Sequence, residues 1–168
     1  TIRRQRQMCI RDRSKRIRLR FFDKYDKNDL IILLNDEDVS KWMDNVPYPY
    51  LEKHADWWIE IGSKKKYQFA ITKKKSKILI GSLKITLNGE IGCWIGKDYW
   101  NKGYATEAVE LIKIFGFENL NLNKLWAATH EENIAPINVL NVTGFSRVEN
   151  KPYYCLLYTS PSPRDIGE

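Results

Sequence analysis

The stretch EIGCWIGKDYWNKGYATEA, residues 90–108, decides the fold. Its first half is short and mostly apolar, as is typical of a strand, and from Gly103 onward apolar residues recur at helical spacing. Several backbone N–H groups at such a helix start have no partner, and the helix dipole adds positive potential there. The stretch therefore predicts a strand, a turn and a helix that together form an anion site. A purely structural joint is the alternative, because many such joints contain glycine.

The turn in this stretch does not match two familiar phosphate-binding loops. It lacks the GK[ST] of a P-loop and the three-glycine pattern of a dinucleotide-binding turn.

A hairpin precedes the turn. Segments 67–72, 77–86 and 90–96 have strand composition, and Leu87, Asn88 and Gly89 join the last two. Because Asn and Gly both tolerate positive φ, this connection predicts that the two strands pair antiparallel.

Helices and further strands flank this central region. The other predicted strands are 16–22, 124–129 and 145–148, and the predicted helices are 26–36, 37–43, 51–61, 103–120 and 133–142. Asp26 is the expected N-cap of the first helix. The apolar run KLWAAT at 124–129 predicts a strand buried on both faces. This order predicts an α+β fold, a mixed α/β layer in which helices cover a sheet.

Length and composition favour a single domain without a membrane span. The chain has 168 residues, of which 43% are hydrophobic, and it contains no uncharged apolar run of membrane-spanning length. The N-terminal arginines are not followed by the apolar stretch of a secretory signal. Cys9, Cys93 and Cys155 lie too far apart for a disulfide framework or a zinc site. We therefore expect a cytoplasmic protein without a metal.

The two ends differ from the rest of the chain. Segments 1–13 and 155–168 resemble translated sequencing-adapter sequence, notably in MCIRDR and CLLYTSPSPRD. An ordinary basic arm and a polar tail are the alternative. The formal net charge is +7; the first segment contributes +4 and the last −1, so the remainder carries +4. We predict a domain at 14–154 whose last strand is truncated, with both end segments non-native.

Several motifs across residues 14–154 resemble one family, the GNAT acetyltransferases. WNKGYA at 100–105 resembles the (Q/R)-x-x-G-x-(G/A) motif, with Trp100 in place of Gln or Arg and Asn101 in place of the common Gly. RIRLR at 16–20 resembles the opening RLxLR strand, and NIAPINVLNVTGF at 133–145 is similar to the N-x-x-S block that ends in Gly-Phe, with Ala135 in place of Ser. VSKWMDNVPYPY at 39–50 resembles the ribosomal-protein N-acetyltransferase branch.

This resemblance implies the GNAT fold, a mostly antiparallel twisted sheet with helices on both faces, and acetyl-CoA as co-substrate. The pantetheine arm would lie between the fourth and fifth strands, where Gly92 and Gly96 would allow close approach. Asn133 would bind the co-substrate from the last helix, with a simple N-cap as the alternative. The implied binding residues are Cys93, Trp94, Ile95, Trp100, Asn101, Lys102, Gly103, Tyr104, Ala105 and Asn133.

The resemblance also implies direct attack of an amine on the thioester within a ternary complex. Glu90 is the candidate general base, acting through water; alternatively it is only a charged residue beside a hairpin. Cys93 alternates with Ile91 and Ile95 on an apolar face and is not expected to be a nucleophile. We consider a structural role more common than a catalytic one for His130 and Glu107. Five aromatic residues are expected either to line the acceptor site or to pack in the core: Trp42, Tyr48, Tyr50, Trp57 and Trp58.

The chemical class of the acceptor can be predicted, whereas its identity stays open. It is a primary amine, either a protein N-terminal α-amine, which the resemblance favours, or a small amine such as a polyamine or aminoglycoside. Lysines at 64–66 and 73–75 make a nucleic-acid or ribosome-binding module the rival class, although no aromatic residues interleave them for base stacking. A fold member that binds CoA without catalysis is the third possibility. The oligomeric state is left open between monomer and homodimer.

Overall fold

The computed structural model describes residues 14–65, 67–151 and 154–159. The described residues form seven strands: β1 Ile17–Arg20, β2 Tyr67–Lys73, β3 Leu79–Ile85, β4 Ile91–Ile95, β5 Lys124–Thr129, β6 Ser146–Val148 and β7 Tyr154–Thr159. Five α-helices accompany them: α1 Lys27–Leu34, α2 Glu37–Ser40, α3 Glu52–Glu60, α4 Tyr104–Ile114 and α5 Ile134–Val142. The expected mixed α/β architecture with a mainly antiparallel sheet is confirmed.

The strands form two antiparallel sheets. The first has the order β1-β2-β3-β4 and the second the order β5-β7-β6. One parallel bridge, between Glu90 and Trp126, joins β4 of the first sheet to β5 of the second.

Both faces of the first sheet are covered because its strands alternate between two cores. On one face α4 packs over Ile17, Leu83 and Ile85, with Phe115 fully buried beside them. On the other face α1 and α3 contribute Leu30 and Ile59, among others, to a second core. The sheet therefore carries α4 on one side and α1 to α3 on the other, as expected.

The hairpin between β3 and β4 forms as predicted, but its turn is of another kind. Gly89 has a φ of 89°, whereas Asn88 is not among the residues with positive φ. Gly89 N–H donates to Thr86 O at 3.0 Å, and Glu90 N–H donates to Asn88 Oδ1 at 3.3 Å. Asn88 thus shapes the turn with its side chain, and glycine alone supplies the left-handed backbone.

One local prediction is wrong. Asp26 does not cap α1; its buried carboxylate accepts from Asp23 N–H at 2.9 Å and pairs with Arg20 at 2.6 Å. The predicted long helix 103–120 forms, but it is α-helical only to Ile114 and continues over 115–119 as a π-helical turn. Gly116 lies in this turn, and a Cβ there would lie 3.0 Å from the side chains of Ile85 and Leu125.

The strand β5 is buried on one face only, contrary to the prediction. Leu125 and Ala127 are buried, whereas Lys124 and Ala128 are exposed. Lys124, Trp126 and Ala128 alternate with them on the opposite face, and none of these three residues is buried.

The predicted domain boundary at residue 154 falls inside β7. Residues 154–159 pair antiparallel with both β5 and β6, and Leu156 is fully buried. The chain therefore supplies a strand at the place where the sequence predicted a truncated one. Whether this segment is native stays a prediction, and segments 1–13 and 160–168 lie outside the described residues.

No helix among the described residues is long and apolar enough to cross a membrane.

Candidate active site

A gap opens between β4 and β5. The two strands meet at the Glu90–Trp126 bridge, where Trp126 N–H donates to Gly89 O at 2.9 Å. Beyond that point the described residues contain no further pairing between them. The strands therefore part toward their carboxyl ends, as the resemblance implied.

The edge of β4 that lines this gap carries free backbone groups. Gly96 N–H donates to Ile80 O at 2.8 Å, so Gly96 faces β3, and alternate residues of an antiparallel ladder do the same. Trp94 belongs to that set. The backbone groups of Cys93 and the N–H of Ile95 instead point away from β3, into the gap, whereas the carbonyl of Ile95 accepts from Trp100 Nε1. Of the three β4 residues predicted to pair with pantetheine, the geometry thus leaves both backbone groups of Cys93 and one of Ile95 available, and Trp94 is already engaged.

The turn after β4 leads to a helix start with unpaired donors. Asn101 and Gly103 both have left-handed backbones, with φ of 59° and 82°. No side chain caps α4, so its first N–H groups lack an intrahelical or side-chain partner. Trp100 Nε1 donates to Ile95 O at 2.7 Å and ties the turn to the end of β4. An unpaired strand edge and an uncapped helix start thus adjoin, and this arrangement fits an extended ligand with a phosphate at one end.

The other turn residues have structural contacts. Lys102 Nζ donates to Asp98 O at 2.9 Å. Tyr104 is buried, with Tyr99 edge-on to its ring at 6.5 Å, and Ala105 packs partly buried against the core. Their backbones begin α4, so the predicted binding residues 100–105 lie together at one end of the gap.

Glu90 lies at the closed end of the gap. Its carboxylate is about one-third exposed, and Lys84 Nζ lies 3.4 Å from Oε1. Alternation along β4 places Glu90 on the same face as Gly92 and Trp94, opposite the core face of Cys93. A base at this position can reach the end of a ligand that lies along β4.

Gly92 in β4 and Gly96 directly after it leave room for neighbouring side chains. A Cβ at Gly92 would lie 2.8 Å from Lys84 Cε, and one at Gly96 would lie 2.5 Å from Leu33 Cδ2. Gly92 thus makes room for the lysine that reaches Glu90, and Gly96 for α1. The expectation that these glycines also allow close approach of a ligand stays a prediction.

Cys93 is unsuited to nucleophilic attack. Burial raises the pKa of the Cys93 thiol to about 12. The thiolate is therefore scarce at neutral pH, in agreement with the prediction that it is not a nucleophile.

The open end of β5 faces the loop that follows α2. His130 Nε2 lies 3.8 Å from Asp44 Oδ1, and the His130 and Trp42 rings are 5.6 Å apart. By contrast, Tyr50 is buried and Trp58 packs edge-on against Phe22 in the second core. Of the predicted aromatic residues, Trp42 therefore lies beside the open end of β5, whereas Tyr50 and Trp58 belong to the second core.

Asn133 occupies the N-cap position of α5 without capping it. Its side chain makes no cap hydrogen bond, and Nδ2 lies 3.4 Å from Thr129 Oγ1 at the end of β5. The simple N-cap alternative is therefore wrong.

A network that the sequence did not predict joins the residues just before β1 to the start of α4. Arg16 Nε donates to Glu107 Oε2 at 2.8 Å, Arg16 Nη1 donates to Lys102 O at 2.8 Å, and the guanidinium lies 4.4 Å from the Tyr104 ring centroid. Ser14 Oγ also donates to Glu107. Burial raises the pKa of Glu107, but hydrogen bonds from Ser14 and Arg16 together with the Arg16 charge outweigh it and lower that pKa overall.

A family model described as an acetyltransferase (GNAT) domain matches residues 16–146. The chain belongs to the GNAT acetyltransferase family. As a GNAT N-acetyltransferase it is an acyltransferase by class. The N-acetyltransferase p20 of Bacillus licheniformis, itself uncharacterized, is 30% identical over 144 residues, which cover 80% of this chain and 81% of that protein.

Solved structures share the GNAT fold. An acetyltransferase of the GNAT family from Bacillus anthracis has a TM-score of 0.76 at 23% identity, covering 87% of this chain and 96% of that one. A Vibrio cholerae protein provisionally named as a ribosomal-protein-serine acetyltransferase has a TM-score of 0.76 at 19% identity, with 88% and 95% covered. The spermidine N-acetyltransferase of Vibrio cholerae, in complex with CoA and spermine, gives 0.65 at 18%, with 84% and 91% covered.

Metal-binding side chains do not gather in the part of the chain that the structure describes: no group of three or more His, Cys, Asp or Glu residues there could hold a metal ion.

Proposed function

We propose that this GNAT acetyltransferase transfers the acetyl group of acetyl-CoA to a primary amine, with a protein N-terminal α-amine as the preferred acceptor. The observation that carries the proposal is the junction of the unpaired β4 edge with the uncapped start of α4. The unpaired backbone groups of β4 can pair with an amide-containing arm, and the N–H groups at the start of α4 can bind a pyrophosphate. The spermidine enzyme of the same fold, whose structure holds CoA and spermine, lends further support.

The direction of the ligand follows from these two ends. A pyrophosphate at residues 101–105 directs the arm back along β4, so that its thioester end lies near Glu90. The co-substrate supplies an activated acyl group. The N–H of Cys93 faces the gap and would polarise the acyl carbonyl. The neighbouring N–H of Trp94 would not, because it faces β3.

Glu90 would take a proton from the ammonium of the acceptor through a water molecule, so that the neutral amine can attack the thioester. Lys84 Nζ lies 3.4 Å from the Glu90 carboxylate. An α-amine, with a pKa of about 7.7 to 8.0, loses its proton more readily than a lysine amine near about 10.4. This difference supports the preferred acceptor, as does the Vibrio cholerae neighbour named for ribosomal-protein acetylation.

The test has two stages on the full chain. Calorimetry with CoA and acetyl-CoA measures binding, and release of free CoA thiol then measures turnover against peptides with free N-termini, polyamines and aminoglycosides. We expect binding of CoA and the highest kcat/KM for peptide α-amines. Absence of heat at millimolar CoA would contradict the proposal. Binding without turnover of any amine would instead indicate a silent fold member, and tighter binding of RNA than of CoA a nucleic-acid module.

Glu90→Gln tests the base. We expect kcat to fall about 100-fold while the Kd for CoA stays unchanged, because general-base catalysis contributes that order of rate. Glu110→Gln is the matched control, since Glu110 is exposed on α4 and pairs only with Lys113 at 3.6 Å. Equal activity of the two variants would exclude Glu90 as the base.

A further inference from the structure

The turn 101–103 stands in a backbone conformation that needs support. Asn101 and Gly103 are both left-handed, and such a conformation costs energy for a residue with a Cβ such as Asn101. The surrounding structure must therefore hold the turn in place if it is to present its N–H groups in a fixed direction.

Arg16 makes that contact from the far edge of the first sheet. Its Nη1 donates to the carbonyl of Lys102 at 2.8 Å, and its Nη2 would lie 3.2 Å from a Cβ at Gly103. The peptide between Lys102 and Gly103 is planar and trans, so its C=O and N–H point in opposite directions. A carbonyl held by Arg16 therefore turns the Gly103 N–H away from β1. Since β1 and β4 are opposite edges of the sheet, that direction leads toward the gap.

Glu107 fixes Arg16 in turn. Its carboxylate accepts from Arg16 Nε at 2.8 Å and from Arg16 N–H at 3.0 Å, and also from Ser14 Oγ. The arginine fork is thus shared between a carboxylate and a carbonyl, and the Tyr104 ring lies against its plane. This geometry is rigid and specific to arginine, because lysine has no planar fork.

We propose that Arg16 and Glu107 are positioning residues that aim the backbone donors of the 101–105 turn at the pyrophosphate of the co-substrate. The inference rests on the proposed function, and it adds a role for β1 in binding that the sequence motifs do not assign. Neither residue has to touch the ligand. Arg16 acts through the Lys102–Gly103 peptide, and Glu107 acts through Arg16.

The decisive variant is Glu107→Gln, because two explanations of its role predict opposite changes in the affinity for CoA. If Glu107 affected the ligand only through space, removal of its negative charge beside an anion site would tighten CoA binding. If it positions Arg16, the same change weakens CoA binding by about tenfold, the equivalent of one charge-assisted hydrogen bond. Arg16→Lys keeps the charge and loses the fork, and we expect a similar loss.

Arg20→Gln is the matched control. Arg20 lies at the other end of β1, the strand that Arg16 directly precedes, and forms an equally direct pair, 2.6 Å from Asp26 and remote from the turn. We expect this variant to lower the melting temperature and leave the Kd for CoA unchanged. Arg16→Lys and Glu107→Gln should raise the KM for acetyl-CoA while kcat at saturation is retained, a split that a general loss of folded protein would not produce.

Three measurements decide whether Arg16 and Glu107 position the turn. They are the calorimetric Kd for CoA, the melting temperature, and the separate changes in KM and kcat. A wild-type protein that binds CoA while Glu107→Gln and Arg16→Lys bind it within about twofold would overturn the positioning role and leave the proposed function intact. Tighter binding by Glu107→Gln would overturn it as well. A wild-type protein that binds no CoA overturns both proposals.

Discussion

Cys93 is a potentially reactive side chain beside the gap between β4 and β5, and burial lowers its reactivity. Its backbone faces the gap, while burial of the thiol raises its pKa to about 12. We expect Cys93→Ala to retain kcat within about threefold, because no step requires a thiolate. Site-resolved mass spectrometry should also find alkylation of Cys93 at pH 8 to be slow until urea unfolds the chain. A loss of activity comparable to that of a missing nucleophile would contradict this view.

Glu107 gives the protein a defined response to acid. Its pKa is lowered in the folded state, so the folded chain binds this proton less readily than the unfolded chain, where the pKa is about 4.3. The resulting stability is present above about pH 4.3 and is lost as the pH falls through the folded-state value.

We therefore expect the difference in unfolding free energy between wild type and Glu107→Gln to be constant near neutral pH and to shrink in acid. Urea titrations at a series of pH values measure it. Asp38, whose pKa Lys97 also lowers, is common to both proteins and cancels in the difference. A difference that does not vary with pH would show that the carboxylate is not held as described.

Residues within one motif were predictable, and residues paired across the chain were not. The run 100–105 could be assigned because strand, turn and helix follow each other directly in the sequence. The contact between Arg16 and Glu107 spans 91 positions, and neither residue type in its own segment reveals the partner. Asn133 shows the same limit, since an Asn before a helix predicts a cap, while its side chain lies toward Thr129.

At the scale of elements, Asn101 tests how much the turn depends on its left-handed residue. Its φ is 59°, a conformation that glycine adopts freely and alanine does not. We expect Asn101→Ala to lower the unfolding free energy by about 1 kcal/mol and to weaken CoA binding, and Asn101→Gly to change neither strongly.

Asn121 provides the matched control for this experiment. It is also left-handed, with a φ of 54°, but lies outside the turn. Asn121→Ala should lose similar stability without any loss of CoA affinity. If both alanine variants keep full stability, the two backbones are not left-handed in solution.

Local sequence signals fixed the type of most elements and failed where packing competes with them. Asn88 and Gly89 marked the β3–β4 hairpin correctly, because a turn is decided by the residues within it. The change from α-helix to π-helix after Ile114 was missed, because apolar periodicity does not distinguish the two helix types. The one-sided burial of β5 was missed because an apolar run does not show whether one face of a strand is covered or both.

At the scale of the whole molecule, β7 decides whether the second sheet exists. It lies between β5 and β6, and Leu156 is fully buried in the core shared with α4. Leu156→Ala should lower the unfolding free energy by about 2 to 5 kcal/mol, as large-to-small changes in cores do. Leu87→Ala, at a position that is 65% exposed, should change it by less than about 0.5 kcal/mol.

Urea denaturation of the two leucine variants measures these effects. Removal of residues 155–168 should be more damaging still, because it leaves β5 and β6 without the strand that joins them. Equal stability of wild type and Leu156→Ala would instead restore the boundary at residue 154 that composition predicted.

In the described residues a single β-bridge joins the edges of the two sheets, and this has a consequence for the lifetime of the protein. A molecule bound between β4 and β5 beyond Glu90 and Trp126 would supply further hydrogen bonds between the two sheets, so its concentration would affect how firmly they hold together. Saturation at 100 times the Kd would add about 2.7 kcal/mol to the unfolding free energy. A cell short of the acyl carrier would then hold this protein in its most protease-sensitive form.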